Sequence, residues 1–218
     1  MPVLPFRTDD HIARALPATV AHLAGSRVLG HPTETIYGLG CALTAAALER
    51  LSDLKARDDA KPFITLVAGI GMLATLGTTL GGAAATLAGR FWPGPLTLVL
   101  RSTRVLPAGL ARADGAVAVR WTSHAGLQRL ITALGAPMTS TSANRPGLPP
   151  AATAAEIVSH WPAQSRSGLL LVLDGGPGGA RPPSTIVDCT DGVPRVTREG
   201  AVSVGELREV VPDVVRDE

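Results

Sequence analysis

The stretch His31-Pro32-Thr33-Glu34-Thr35-Ile36-Tyr37-Gly38-Leu39-Gly40 follows a short apolar run, residues 26–30, that reads as a strand. A segment built only to turn the chain has little use for Thr, Glu, Thr and Tyr between its proline and its glycines. Gly38 and Gly40 permit positive φ and close approach of a ligand to the backbone. Loops at strand ends are where α/β proteins place their chemistry. The competing reading, a tight turn, has to be weighed against what the rest of the chain places around this loop.

Working outward, residues 45–55 read as a helix, with Leu48, Leu51 and Leu54 on one side and Glu49, Arg50 and Asp53 toward water. Residues 63–68 form an apolar run short enough for a buried strand, and residues 72–91 read as two small helices broken at Gly81-Gly82. Residues 96–101 and 116–121 are further strands; residues 127–134 are helical, with Gly135 placed to end them, and residues 137–141 return to the sheet. Thr153-Ala154-Ala155-Glu156 and Ser203-Val204-Gly205-Glu206 fit the capping box at a helix start, the second opening a short helix that ends near Val211. Between them lie extended runs at 169–174, 184–189 and 195–198, with a flexible Gly/Pro loop at 175–183. The segments after that loop are too short to fold alone. The expectation is a single α/β domain over residues 1–218 with no repeat.

Composition narrows the function classes. Of 218 residues 45% are hydrophobic but only 3% aromatic, so Ala, Val and Leu must fill the core. The net charge of +2 supplies no global field toward nucleic acid or anionic lipid, so any anion site must be a local basic cluster. Cys41 and Cys189 are too few for a disulfide scaffold and lack metal-site spacing; reduced, buried thiols are expected. The N-terminus, with Asp9, Asp10 and His11, has no apolar run of the signal-peptide kind, and nothing approaches the roughly 20 apolar residues of a membrane span. A cytoplasmic location without a membrane partner is the expectation.

Several residues look like chemistry. Lys55 and Arg57 stand at the end of the leucine-striped helix, with Lys61-Pro62 before the next strand. Cations at a helix C-terminus complement its dipole, but three within seven residues also suit a polyanion such as a triphosphate. Arg120 ends a strand, either salt-bridged or set to clamp a carboxylate bidentately. Ser140-Thr141-Ser142-Ala143-Asn144 offers small hydroxyl and amide groups that either cap the next segment or bond phosphate and ribose. Pro183-Ser184-Thr185 and Arg198-Glu199-Gly200 repeat the pattern of polar groups at strand edges. Trp92-Pro93-Gly94-Pro95 reads as a rigid turn with Trp92 over the core. His31 and His124 lack the spacing of a metal triad and read as surface or packing residues. Neither GxxxxGK[ST] nor GxSxG occurs.

Together, PTETIYGLG, KAR…KP, WPGPLT, VAVRW…H, STSAN…G, PSTIVD and TREG resemble the YrdC-like (TsaC) family, in this order, over about residues 28–200. The pairing of Lys55-x-Arg57 with Ser142-x-Asn144 carries most of the resemblance. It implies a twisted mixed β-sheet flanked by helices around a concave, basic cavity. The activity implied is synthesis of threonylcarbamoyl-AMP and pyrophosphate from L-threonine, bicarbonate and ATP, for N6-threonylcarbamoyladenosine in tRNA. By position, Lys55, Arg57, Lys61, Ser142, Asn144 and Arg198 would hold ATP, with Lys55 and Arg57 acting in catalysis. Thr33, Arg120, Ser140 and Ser184 would hold threonine. Mg²⁺ would arrive with ATP, with no metal held by protein side chains, and a downstream tRNA threonylcarbamoyl transferase would be a partner. Two departures stand out: Trp121-Thr122 where the family usually has a small apolar residue and Pro, and Pro146-Gly147 where Ser-Gly is common.

Two other readings compete. A carbamoyl-adenylate-forming domain of the carbamoyltransferase type usually brings further domains or zinc-finger-like cysteines, for which this chain leaves little room. A non-catalytic RNA-binding module needs many phosphate contacts and aromatic platforms, whereas the chain has three Phe, three Trp and one Tyr, so weak or no direct RNA binding is expected.

Overall fold

The computed structural model describes residues 3–56, 62–178 and 181–216. Within them the strands are β1 (Val3–Pro5), β2 (Val28–His31), β3 (Gly38–Gly40), β4 (Ile64–Val67), β5 (Leu96–Arg101), β6 (Ala116–Trp121), β7 (Met138–Ser142), β8 (Leu170–Asp174), β9 (Thr185–Asp188), β10 (Arg195–Arg198) and β11 (Val215–Arg216). They join in one mixed sheet of order β1-β8-β2-β3-β7-β4-β6-β5-β9-β10-β11. The helices are α1 (Asp9–Ala24), α2 (Ala45–Lys55), α3 (Gly82–Phe91), α4 (Ala125–Leu134), α5 (Ala154–His160), α6 (Pro162–Arg166) and α7 (Val204–Val210), with a 3₁₀ helix at Ile70–Leu76. None is long and apolar enough to cross a membrane.

Local chemistry explains the boundaries. Thr44 caps α2 by accepting from the Ala47 amide, and Ala56 ends it in the left-handed region at φ 45°. Gly135 ends α4 at φ 69°. Ser203 and Glu206 make the reciprocal capping box of α7. Thr153 caps α5, but Glu156 reaches past it to the Ala152 amide at 2.8 Å. The first of the two helices expected in 72–91 is a 3₁₀ turn that stops at Gly77, φ 65°, so only α3 is a regular α-helix. Trp92 is buried and its indole nitrogen donates to the Leu96 carbonyl at 2.7 Å, fixing the turn into β5.

The two faces of the sheet differ where β5, β6 and β9 meet. Val117 and Val119 pack with Ala84 and Leu87 of α3 and Leu207 of α7. Side chains alternate along a strand, so Ala116, Ala118 and Arg120 face the opposite side. There Ala116, Ala118 and Val99 cluster with Ile64 and Ile186, all of them strand residues. Further along the same face, Leu66 and Met138 pack with Leu127, Leu130 and Ile131 of α4 and Ile12 and Leu23 of α1.

Candidate functional site

Register alone gathers the polar residues. Leu66 lies opposite both Arg120 and Met138, and Ile64 lies opposite Ser140. Residues directly opposite share a face, so Arg120 is on the face of Ser140 and Ser142. Gly38 lies opposite Ser142 and His31 opposite Gly38. Val99 pairs with Ala118, which brings Thr97, two residues before it, to the same side. One face therefore carries His31, Ser140, Ser142, Arg120 and Thr97 from four strands. Gly38 and Gly40 sit among them for a reason other than positive φ: they are extended, and a Cβ on Gly38 would lie 2.8 Å from both His31 Cε1 and Ser140 Oγ. A Cβ on Gly40 would lie 2.1 Å from the Thr139 carbonyl oxygen.

At one end of this face Lys55, on the last turn of α2, is buried. Its ammonium donates to the Ser142 carbonyl at 2.8 Å, to Asn144 Oδ1 at 2.9 Å and to the Asn144 carbonyl. Ser142 Oγ donates to the same Asn144 Oδ1 at 2.6 Å. The Asn144 amide donates to the Arg145 and Leu148 carbonyls, tying the cluster to the following turn. An ammonium has three hydrogens, so a phosphate oxygen reaching Lys55 must share or replace one of these carbonyls.

At the other end is a pair of arginines. Arg120 is buried; its Nη2 lies 3.0 Å from Glu34 Oε2, with side-chain exposures of 6% and 10%. Thr122 Oγ1 donates to Glu34 Oε2 at 2.7 Å, and the Ser123 amide reaches Oε1 at 3.4 Å. Burial opposes ionisation of Glu34, but Arg120 and Thr122 prevail and hold its pKa below the usual carboxylate value. Nη2 of Arg120 is thus ion-paired with Glu34, and its buried Nε has no hydrogen-bond partner among the described residues. Arg198 donates from Nη2 to the Ser184 carbonyl at 2.8 Å and to Ser184 Oγ at 3.1 Å, while Thr97 Oγ1 meets Ser184 Oγ at 2.9 Å. Although Arg198 is exposed as a whole, burial of its guanidinium and then the Arg120 charge lower its pKa. Gly200 allows this corner to close, since a Cβ there would lie 2.1 Å from the Pro183 carbonyl oxygen.

The loop between β2 and β3 is held from within. Thr33 Oγ1 donates to the Ile36 carbonyl at 2.7 Å and accepts from the Thr35 amide at 3.0 Å. Tyr37 is buried and its hydroxyl donates to the Gly176 carbonyl at 2.8 Å, anchoring the segment after β8. His31 Nδ1 donates to the Pro32 carbonyl at 3.2 Å, which leaves Nε2 as an acceptor without a partner. Burial, and to a lesser degree the charges of His124 and Arg120, lower the His31 pKa to about 4. His124 caps α4 through Nδ1, accepting from the Leu127 amide at 3.2 Å, and stacks on Phe6. Both are packing histidines.

The structure thus brings Lys55, Ser142 and Asn144 into one cluster, and Arg120, Ser184 and Arg198 into another. Ser140 lies between them on β7, and Thr33 is spent on its own loop. Arg57 and Lys61 lie outside the described residues. Glu34, Thr97 and Thr122 are partners that sequence reading left without a role; a carboxylate sandwiched between two threonines in the opening loop was the one available signal for Glu34. Among the described residues no group of three or more His, Cys, Asp and Glu is placed to hold a metal ion. Cys41 is buried and Cys189 partly buried, both as free thiols.

Comparison with known proteins converges. The Sua5/YciO/YrdC family model, described as telomere recombination, matches residues 22–200. A threonylcarbamoyl-AMP synthase of Thiobacillus denitrificans is 38% identical over 179 residues, covering 82% of this chain and 93% of that protein. The crystal structure of Pyrococcus abyssi Sua5 complexed with L-threonine superposes with a TM-score of 0.88 at 28% identity, covering 100% of this chain and 63% of that one. Escherichia coli YciO superposes at 0.83 and 28% identity, covering 94% and 98%.

Proposed function

The chain belongs to the Sua5/YciO/YrdC family, and from that premise we propose that it is an L-threonylcarbamoyladenylate synthase, a nucleotidyltransferase joining L-threonine, bicarbonate or CO₂, and ATP. The observation that carries this reading is the Arg120 guanidinium. Its Nε is a buried donor without a hydrogen-bond partner among the described residues, on the same edge as the Nη2 that faces Glu34 and beside a second arginine. A buried donor left unmade is destabilising by about 1–3 kcal/mol, more when charged. A ligand carboxylate reaching that edge satisfies Nε and shares Nη2 with Glu34. The P. abyssi relative was crystallised with an amino acid bearing such a carboxylate.

The chemistry needs no covalent nucleophile. The threonine amine, once deprotonated, adds CO₂ to give a carbamate. A carbamate oxygen attacks the α-phosphorus of ATP, the bond to the β-phosphate oxygen breaks, and pyrophosphate leaves. Arg120 holds the threonine carboxylate, with Ser184 beside Arg198 and Ser140 on the same sheet face, so that attacker and phosphorus meet at high effective concentration. Lys55, Arg57, Lys61 and Arg198 neutralise charge developing on the phosphate oxygens, and Ser142 and Asn144 bond the nucleotide. Around Lys55 the ammonium and the Ser142 hydroxyl are the groups able to donate to a phosphate oxygen. Mg²⁺ would come with ATP and supply further charge neutralisation. The mixed anhydride so formed is an activated carbamoyl donor, suited to a transferase acting on tRNA.

The test is mass-spectrometric identification of the product made from ATP, bicarbonate and an amino-acid mixture. Threonylcarbamoyl-AMP with stoichiometric pyrophosphate is the expected result; pyrophosphate release independent of threonine and bicarbonate overturns it.

A further inference from the structure

We propose that Glu34 determines the charge specificity of the arginine pocket, making it accept the carboxylate of a net-neutral zwitterion and reject dianions. This rests on Arg120 being the carboxylate site. The titratable side chains that face Arg120 or its partner Glu34 among the described residues are Arg198, His31 and His124. Both histidines have lowered pKa values and are uncharged at neutral pH, because burial disfavours their charged forms. Before ATP engages Arg198, two guanidiniums and one carboxylate leave a single uncompensated positive charge, which matches one monoanion.

The carboxylate is built in rather than incidental. Thr122 Oγ1 donates to Glu34 Oε2 at 2.7 Å, the oxygen that also lies 3.0 Å from Arg120 Nη2. The Thr122 hydroxyl is itself oriented by the His124 amide, which donates to it at 3.2 Å, and its carbonyl accepts from Gln128 Nε2 at 2.7 Å. The start of α4 therefore braces Glu34 against Arg120. Thr122 stands at one of the two positions where the chain departs from the family pattern, and a proline there offers no hydroxyl to donate. Oε1 accepts from the Ser123 amide at a long 3.4 Å.

Field arithmetic then separates two ligand classes. A free amino acid carries a carboxylate and an ammonium; Glu34 repels the first and attracts the second, and orients the guanidinium that binds the first. A dianion such as sulfate has no ammonium to compensate, so Glu34 only repels it. Deleting the charge must move the two affinities in opposite directions, whereas a general loosening of the pocket weakens both.

The experiment is calorimetric titration of wild-type protein and Glu34→Gln with L-threonine, and with inorganic sulfate scored only for the portion that threonine displaces. In Glu34→Gln the threonine Kd rises at least threefold and the sulfate Kd falls at least tenfold. Shifts in the same direction, or no shift, overturn the proposal. If Glu34→Gln does not fold, Glu34→Met, of similar length and likewise without charge, takes its place with the same expected shifts and the same overturning result. Because the readout is binding, it is independent of product formation. A wild-type protein that makes no threonylcarbamoyl-AMP refutes the proposed activity, while unchanged ratios refute only the role of Glu34.

Discussion

The two ends of the candidate site are built on opposite principles. Around Lys55 one cation is surrounded by oxygens, two of them at 2.8 and 2.9 Å, and the group is complete without a ligand. Around Arg120 one carboxylate is paired with that guanidinium, a second cation stands close by, and a buried donor is left over. The first end is a lock that ties α2 to the end of β7; the second is a charged gap held open by the sheet. The distinction is physical: a satisfied buried charge contributes rigidity, whereas an unsatisfied one stores binding energy for an anion.

The largest effect falls on the gap. Arg120→Ala is expected to lower kcat/KM for threonine by on the order of 10²–10³, the scale for loss of one transition-state donor, with a much smaller change for ATP. Steady-state kinetics with each substrate varied checks this, and equal losses for both break the contrast between the ends. The lock has its signature in stability. Lys55→Met strands the Ser142 and Asn144 oxygens in a buried place, and should lower unfolding free energy by about 3 kcal/mol. A denaturant midpoint unchanged from wild type would mean that the cluster is not a lock.

Acid should act through the gap side by a different route. His31 is buried with its pKa lowered to about 4, against about 6.5 when unfolded. Between those values the unfolded chain binds the proton that the folded chain refuses, so stability rises with pH through this window and falls as pH drops. The loss from pH 7.5 to pH 5 is about 2 kcal/mol from this group. His31→Asn should flatten the pH dependence over that interval in thermal or chemical melts; an equally steep curve in the variant assigns the loss elsewhere.

How far all this was legible depends on what each residue's role is read from. Helix α2 matched its expected bounds because leucine spacing and a threonine cap are local signals, and β5 and β6 matched because short apolar runs ended cleanly. Helix α1 went unread: Pro17 lies inside it, yet burial of Ile12, Ala15 and Leu23 against the sheet outweighs the missing donor. Strands β3 and β11 are three and two residues long, and only their neighbours make them strands. The site divides in the same way. Lys55, Ser142 and Asn144 could be paired by family motif, but the contact of Arg120 with Glu34 spans 86 positions, as 120 − 34 gives. That pairing is a consequence of β3, β7, β4 and β6 lying side by side, an arrangement no spacing in the chain expresses. The glycines at 38 and 40 show the same limit: close packing of His31 and of β7 demands them, and β7 is remote in sequence.

The smallest expected effect is the sharpest test of the contrast. Arg198 donates to the carbonyl and hydroxyl of Ser184, so by hydrogen-bond count its removal should resemble removal of Lys55. Its charge, however, is opposed by Arg120, and Arg198→Met relieves that repulsion as it removes the bonds. Solvent also reaches this residue and can replace the lost partners. Arg198→Met should therefore change stability by less than about 1 kcal/mol, well under the loss for Lys55→Met, although activity falls. Two variants that each delete a buried-end cation would then differ in stability because one cation is paired with oxygens and the other is crowded by its own kind. If Arg198→Met proves as destabilising as Lys55→Met, the pocket holds Arg198 as tightly as α2 holds Lys55, and the gap is a second lock.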